Sequence, residues 1–323
     1  MASRFGAFVP QGWKMDLVNY AAGPAQYRAL RAAALEAERL GFDSIWVYDH
    51  FHTVPKPSQE ATFECWTLMA ALAVETTRIR LGQMVTCNSY RPPVLLAKLS
   101  SNVDVISNGR LEFGIGAGWY EHEYLAYGYP FPPVSERLRQ MEEGIKVIKA
   151  MWTEDEAHFE GRYYQVRGAI NRPKPVQKPH PPIWIGGGGE KVTLRILARE
   201  GDASNFGGTP DEVGHKCRVL QQHCREVGRD YDEIVKSVSF EPVIIGEDER
   251  EVRKTAERAR PPEFSSVEEW AQSALIGTPQ RCIERIRAYE RLGVRYFICY
   301  FLGAADDPAP MRLFAQQVLP AFR

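Results

Sequence analysis

An aspartate and a histidine stand directly after the second apolar stretch of the chain and could transfer protons. Asp49 and His50 follow residues 43–48 (DSIWVY), which are apolar nearly throughout and predict a strand covered on both faces. The pKa of an imidazole lies near neutrality, so a histidine can donate or accept a proton at physiological pH. The sequence therefore predicts His50, adjacent to Asp49, as a proton donor or acceptor; a structural histidine is the alternative.

The pair His50 and His52 is also the kind of His-x-His motif that begins a metal-dependent hydrolase barrel. Such a centre needs further ligands at later strand ends, but the predicted ends near 186, 206 and 300 offer no histidine or aspartate. A second set of possible zinc ligands lies in one predicted helix: His215, Cys217, His223 and Cys224. Positions 215 and 223 point in different directions around that helix, so we predict no metal site.

The first half of residues 111–124 (LEFGIGAGWYEHEY) predicts a buried strand. The second half has glycines, which lack side chains, followed by aromatic and ionisable residues. Glycines at 114, 116 and 118 are followed at once by four large or ionisable residues: Trp119, Tyr120, His122 and Glu123. This order is typical of a ligand floor with reactive walls, and a tight strand-to-helix turn is the alternative. The Rossmann fingerprint requires glycine where Trp119 stands, so the stretch does not predict a classical NAD turn.

Four consecutive glycines, from Gly186 to Gly189, precede Glu190 and a predicted helix. Free backbone amides at a helix start suit a phosphate or carboxylate, although such glycines can also serve only a sharp turn. The Gly-Lys-Ser/Thr of a Walker motif does not follow, which argues against nucleotide triphosphate hydrolysis.

Eight strand-like stretches separated by helical patterns predict a (β/α)8 TIM barrel that forms a single domain over residues 1–323. The predicted strands are 4–10, 43–48, 79–85, the first half of 111–124, 182–185, 203–206, 237–245 and 296–301. The predicted helices are 24–40, 62–75, 91–107, 135–152, one starting near Glu190, 210–228, 248–260, 266–275, 278–292 and 308–319. A hairpin at 158–166 is expected as an insertion before the fifth strand, and the prolines of 173–182 as a stiff return, with an interdomain linker as the alternative.

Composition excludes several classes of partner. The 323 residues include 40 basic and 41 acidic side chains, for a net charge of −1, so we expect neither nucleic acid nor a membrane as partner. No apolar run reaches the ~18 residues of a membrane span, and no signal peptide is evident. The six cysteines form no CxxC pairs, which favours reduced thiols in a cytoplasm.

Five segments give the chain a resemblance to the luciferase-like flavin and deazaflavin oxidoreductases, specifically the branch that depends on coenzyme F420. The resemblance spans essentially all 323 residues. The segments are FGAFVPQG, WVYDHFHTVP, RIRLGQMVTCNSYRPPVLLAK, GRLEFGIGAGWYEHEYLAYGYPFP and PPIWIGGGGE.

The resemblance implies a long tricyclic cofactor that lies across the barrel mouth, with its ring against a bulge after the third strand. That bulge would contain a non-proline cis peptide between Met84 and Val85. Thr86 and Cys87 would border the ring, and Asp49 and His50 would face its reactive edge. The remaining implied cofactor residues are Gly116, Ala117, Gly118, Tyr120 and His122 for the ribityl region, and Gly186, Gly187, Gly188, Gly189 and Glu190 for the phosphate.

The substrate side is expected to include Gln11, His52, Trp66, Trp119 and Glu123. The sugar-phosphate dehydrogenases that this chain resembles around His50 have a glutamate where it has Trp119, which argues against a sugar phosphate as substrate. We therefore expect hydride transfer between coenzyme F420 and a small organic substrate, with His50 relaying a proton, in a homodimer. The alternatives are an FMN-dependent monooxygenase, or a non-catalytic binding protein on the same barrel.

Overall fold

Eight parallel strands close into a barrel, as the alternation of strand and helix patterns predicted. The structure, a computed structural model, describes residues 2–323. The strands in chain order are β1 (Arg4–Phe8), β2 (Ser44–Val47), β3 (Arg80–Gln83), β4 (Thr86–Cys87), β5 (Leu111–Gly116), β6 (Ala157–Glu160), β7 (Gln165–Ala169), β8 (Ile183–Gly186), β9 (Ala203–Phe206), β10 (Val235–Ile245), β11 (Leu275–Gly277) and β12 (Tyr296–Phe301). The barrel order is β1, β2, β3, β5, β8, β9, β10 and β12, and the last of these pairs with the first.

Helices cover the outside of this ring and explain why its strands are apolar on both faces. In chain order they are α1 (Pro24–Arg39), α2 (Cys65–Glu75), α3 (Pro93–Ile106), α4 (Glu121–Ala126), α5 (Val134–Thr153), α6 (Thr193–Glu200), α7 (Pro210–Val227), α8 (Glu249–Ala259), α9 (Val267–Trp270), α10 (Pro279–Glu290) and α11 (Ala309–Gln317). Short 3-10 helices occupy Tyr231–Glu233 and Leu319–Phe322.

Large aromatic rings fill the barrel interior below its mouth. Trp46 and Trp184 meet at 4.8 Å between ring centroids, and Trp184 lies 4.9 Å from Tyr296. All three side chains are fully buried. A ligand therefore has to bind above this layer, at the carboxyl ends of the strands.

The sequence predicted most elements to within a few residues, and β9 and β12 have the predicted bounds. The hairpin β6–β7 is antiparallel and lies outside the barrel sheet, as expected. The predicted helix 266–275 was wrong in its second half: α9 ends at Trp270, and β11 extends the sheet by pairing with the long strand β10. The helix expected to start near Glu190 starts at Thr193.

No helix within residues 2–323 is long and apolar enough to cross a membrane.

Candidate active site

The third barrel strand is interrupted at its carboxyl end, where a cis peptide joins Met84 to Val85. β3 stops at Gln83, and the two-residue strand β4 resumes with Thr86 and pairs with β5. The family resemblance predicted this non-proline cis bond, and the structure confirms its position. The backbone of this bulge and the residues on either side of it line the barrel mouth.

Asp49 connects the end of β2 to the bulge. Its Oδ2 accepts hydrogen bonds from the Thr86 hydroxyl and the Cys87 backbone amide, both at 2.8 Å. Arg91 pairs with both carboxylate oxygens, at 2.7 and 3.0 Å, and also with Glu64, which caps the N-terminus of α2. Through these hydrogen bonds the buried carboxylate of Asp49 holds the bulge in place.

Val85 lies where the carboxyl ends of β3, β5 and β8, the third, fourth and fifth barrel strands, meet. A Cβ atom added at Gly116 would lie 2.6 Å from a Val85 methyl carbon, and one added at Gly186 would lie 2.5 Å from it. Packed carbon atoms do not approach so closely, so the glycines permit this contact. The three strand ends that the sequence indicated as a cofactor floor are therefore adjacent.

His50 lies at the cavity wall with its ring held on two sides. Its Nδ1 is 2.8 Å from Oε2 of Glu123. The Trp13 ring stacks on the imidazole, with centroids 4.2 Å apart and planes within 3° of parallel. Because the Glu123 carboxylate accepts a hydrogen bond from Nδ1–H, the other ring nitrogen, Nε2, is the one available to a ligand.

Glu123 is fully buried, and four donors surround its carboxylate. The hydroxyl of Tyr90 shares Oε2 with His50 at 2.8 Å, while the backbone amides of Phe51 and His52 donate to Oε1 at 2.8 and 3.2 Å. Burial opposes ionisation, but the hydrogen bonds, led by that of His50, outweigh it and lower the pKa of Glu123. Glu123 is therefore an ionised partner that orients His50.

A cavity of about 230 Å³ opens between these groups at the barrel mouth. It is lined by aromatic rings, the bulge, glycines and a few ionisable groups: Trp13, Tyr48, Asp49, His50, Met84, Val85, Thr86, Cys87, Tyr90, Gly116, Gly118, Trp119 and Glu241. Burial raises the pKa of Cys87 to about 12, so this thiol is neutral and unsuited to act as a nucleophile. Flat apolar walls with one oriented imidazole suit a planar ligand and a proton transfer.

The glycine run continues from the tip of β8 toward α7. Gly188 lies so close to Lys216 that an added Cβ would be 2.9 Å from Nζ. Lys216 donates to the carbonyl of Gly207 at 3.3 Å and lies on the protein surface beside the run. Flexible glycine backbone with an adjacent ammonium group fits an anionic ligand.

The luciferase-like monooxygenase family model matches residues 3–296. The chain belongs to this family.

The names of the relatives of this luciferase-like chain include more than one cofactor. It is 26% identical to the F420-dependent glucose-6-phosphate dehydrogenase of Amycolatopsis mediterranei, over 95% of this chain and 98% of that one. It is 27% identical to the FMNH(2)-dependent dimethylsulfone monooxygenase of Pseudomonas putida, over 91% of this chain and 87% of that enzyme. An F420-dependent secondary alcohol dehydrogenase, solved with an F420-acetone adduct, shares the fold with a TM-score of 0.82 at 20% identity, covering 100% of both chains.

Three residues that we predicted on the substrate side are buried behind the cavity wall instead. Glu123 orients His50, as described above. The Gln11 side chain donates to the carbonyls of Tyr48 and Phe63, at 2.8 and 2.6 Å, and accepts from the amide of Tyr48 at 2.7 Å. The indole of Trp66 donates to Thr86 at 3.1 Å. Each of these side chains has its partners inside the protein and none of the three lines the cavity, so their contact with a substrate stays a prediction.

Other predicted residues lie at the rim of the mouth. His52 and His122 meet through Nε2 and Nδ1 at 3.1 Å, and Tyr120 donates to the carbonyl of Thr53 at 3.3 Å. Trp119 lies 5.7 Å from the His50 ring and is largely exposed. Ala117 accepts from the Tyr124 hydroxyl at 3.1 Å.

The side chain and carbonyl of Glu190, which was predicted to contact the phosphate, both have partners on α7. Its carboxylate is 3.0 Å from His215, and its carbonyl is 2.7 Å from Nε2 of His223, so both groups contact α7. The helix start that was expected to present amides at Glu190 lies three residues later. Lys216, which the sequence analysis did not select, takes the place beside the glycines.

Four residues that line the cavity were not predicted from the sequence: Trp13, Tyr48, Tyr90 and Glu241. Trp13 and Tyr90 follow strand ends closely, so the strand-end rule could have found them. Glu241 lies inside the predicted strand 237–245 and carried no such signal. Its side chain reaches the mouth because β10 changes register between Phe240 and Val243.

Among residues 2–323, no cluster of three or more histidine, cysteine, aspartate or glutamate side chains could hold a metal ion.

Proposed function

We propose that this protein is an F420-dependent oxidoreductase that transfers a hydride between the deazaflavin and a small organic substrate, with His50 moving the accompanying proton. The observation that carries the proposal is the dyad of His50 and ionised Glu123 at the wall of a flat, aromatic-lined cavity. The name of the Amycolatopsis mediterranei relative supports the choice of cofactor.

The residues at the mouth fit a planar heterocycle with a phosphorylated tail. The bulge at 84–87 offers a flat floor for the ring, and Trp13 and Trp119 offer aromatic surface near His50. Gly187 to Gly189 and Lys216 would hold the phosphate. When bound there, the deazaflavin supplies two-electron hydride chemistry, and the protein supplies orientation and proton handling.

His50 is the group that we assign to proton transfer. With Nδ1 bonded to Glu123, Nε2 can accept the hydroxyl proton of an alcohol that is being oxidised, or donate a proton when a carbonyl is reduced. The negative charge of Glu123 stabilises the imidazolium form after proton acceptance. Trp13 covers one ring face and limits the approach of water to it.

We assign Asp49 a positioning role rather than proton transfer. Its carboxylate already accepts hydrogen bonds from Thr86, Cys87 and Arg91. Arg91 is partnered in turn by Glu64. This network joins the end of β2 to the bulge and so sets the distance between His50 and the cofactor floor.

A sugar phosphate is not the substrate that we propose. Trp119 occupies the position where the sugar-phosphate branch has a glutamate, and an indole cannot act as its acid. Trp119 instead adds apolar surface at the mouth, 5.7 Å from His50.

A second candidate is an FMN-dependent monooxygenase, which is favoured by the similarity to the Pseudomonas putida enzyme. Titration of the purified protein with oxidised F420 and with FMN, each followed by fluorescence, separates the two. We expect the affinity for F420 to exceed that for FMN by at least about tenfold. Equal or tighter binding of FMN, or a yellow preparation with an FMN spectrum, would favour the monooxygenase.

We also propose that two copies associate. Val74 on α2 and Leu95 and Ile106 on α3 are apolar and exposed, which suits burial against a second copy. Sedimentation equilibrium should then give twice the mass of the chain, and a monomer at micromolar concentration would contradict this.

A further inference from the structure

An ion pair lies on the cavity wall, separated from His50 by aromatic rings. Trp13 contacts His50 on one side and the Tyr48 ring on the other, with centroids 4.3 Å apart. The Tyr48 hydroxyl donates to Oε2 of Glu241 at 3.0 Å. Lys14 pairs with the same oxygen, so Glu241 has two protein partners and both meet one oxygen.

The second oxygen of Glu241 has no hydrogen-bond partner among residues 2–323. The side chain is 31% exposed and borders the cavity. An ionised carboxylate has about four acceptor positions, so two protein donors leave acceptor capacity for a ligand. A ligand in the cavity can therefore bind Glu241 through a hydrogen-bond donor.

Lys14 limits which donor fits. Its ammonium group lies 4.4 Å from the centroid of the Tyr300 ring and 5.1 Å from that of Tyr48, which keeps it beside Glu241. Because Lys14 already neutralises the charge of Glu241, a second cation gains little net attraction there, and an anion meets the carboxylate oxygen directly. A neutral hydroxyl can donate to the free oxygen without either penalty.

We propose that Glu241 is a specificity residue that binds a hydroxyl group of the substrate, in addition to the group that exchanges the hydride near His50. The proposal rests on the proposed function, in that it extends the substrate of that site to an organic molecule with two separated oxygen groups, such as a diol or a hydroxyketone. Tyr48 and Lys14 hold the carboxylate in position for this contact.

The test compares trans-1,4-cyclohexanediol with cyclohexanol, which differs by one hydroxyl. Dissociation constants are measured by saturation-transfer NMR on the full-length protein, both free and saturated with oxidised F420. We expect the wild type to bind the diol about tenfold more tightly than the alcohol. Glu241→Ala should remove that preference by weakening the diol alone. Equal affinities in the wild type, including no measurable binding of either probe, overturn the proposal, as does an equal loss for both probes in Glu241→Ala.

Two further variants separate charge from shape. Glu241→Gln keeps an acceptor oxygen and the side-chain volume, so it should retain part of the preference for the diol. Lys14→Met keeps the stem but removes the competing cation, so trans-4-aminocyclohexanol should bind more tightly to this variant than to the wild type. No gain for the amine in Lys14→Met contradicts the argument that Lys14 selects a neutral donor.

Failure of the proposed function would look different. If F420 does not bind but the free protein still prefers the diol through Glu241, the specificity assignment survives and the cofactor assignment is wrong. If F420 binds and the protein binds the diol no more tightly than the alcohol, the cofactor assignment survives and the specificity assignment is wrong.

Discussion

Nδ1 of His50 lies 2.8 Å from Oε2 of Glu123, and no part of that glutamate reaches solvent. A buried carboxylate that accepts from one ring nitrogen fixes the tautomer and directs the other nitrogen to the cavity. From the sequence, His50 was predicted to transfer a proton and Glu123 to contact the substrate. The structure makes them one unit.

Glu123→Gln should reduce turnover by roughly 10–100-fold while leaving the affinity for F420 nearly unchanged. The amide keeps the shape but cannot stabilise an imidazolium. The downfield proton resonance of the His50 Nδ1–H in the wild type should also move upfield in this variant. Tyr90→Phe is the matched control because it removes another donor to the same carboxylate without touching His50, and its effect on turnover should be much smaller. Full activity in Glu123→Gln would rule out the dyad.

Glu123 should also make stability depend on pH at the acidic end. Its folded-state pKa lies below its ordinary value of 4.5, so the ionised carboxylate stabilises the fold above that pH. This contribution is lost as the pH falls through the lower, folded-state value. The difference in the free energy of unfolding between the wild type and Glu123→Gln, from urea titrations, should therefore stay constant from about pH 8 to about pH 6 and shrink below about 4.5. Glu121→Gln, on the exposed face of the same helix, should show no such change.

Asp49→Ala should destabilise the protein by about 3 kcal/mol, because it leaves the Arg91 guanidinium, which is 11% exposed, without its bidentate partner. Glu64→Gln removes a more exposed partner of the same arginine and should cost less, about 1 kcal/mol. Chemical denaturation measures both. A loss below that of Glu64→Gln would show that Asp49 does not anchor the bulge.

The strand ends were predictable from sequence because a parallel barrel covered by helices leaves long apolar stretches with a regular spacing. Because residues that follow the strands meet at the carboxyl end of the barrel, His50, Thr86, Gly116 and Gly186 were predicted to lie at its mouth. The structure confirms that they are near one another. Resemblance alone supplied the cis bond at Met84-Val85, since no local pattern of residue types predicts it.

What the sequence could not give was the direction of individual side chains. Glu123 stands among rim residues in the chain, yet one turn of α4 directs it inward to His50, while His122 next to it is exposed. Glu241 lies within the predicted strand 237–245 and was not selected, whereas the register change in β10 next to it brings its side chain to the cavity. Both outcomes depend on local backbone geometry, which residue spacing does not encode.

Gly186→Ala should weaken binding of F420 by about tenfold or more. The added methyl group would lie 2.5 Å from Val85 and force the bulge to move. Gly207→Ala is the control, since nothing lies within 4 Å of a Cβ atom there. Combining Gly186→Ala with Val85→Ala should recover part of the lost affinity, because the clash is relieved; strictly additive losses would show that the contact between residues 85 and 186 does not matter for the cofactor.

Lys216→Met should weaken F420 by about tenfold but leave the affinity for the same deazaflavin without its phosphate unchanged. The reason is that Nζ lies beside Gly188 of the glycine run, where the phosphate is expected, and does not line the cavity that receives the ring. The loss should also shrink as salt is raised, because the missing contact is between charges. Lys191→Met, a nearby exposed lysine just beyond the glycine run, serves as the control for a general change in surface charge. If Lys216→Met weakens both compounds equally, the ammonium group acts on the shape of the site and not on the phosphate.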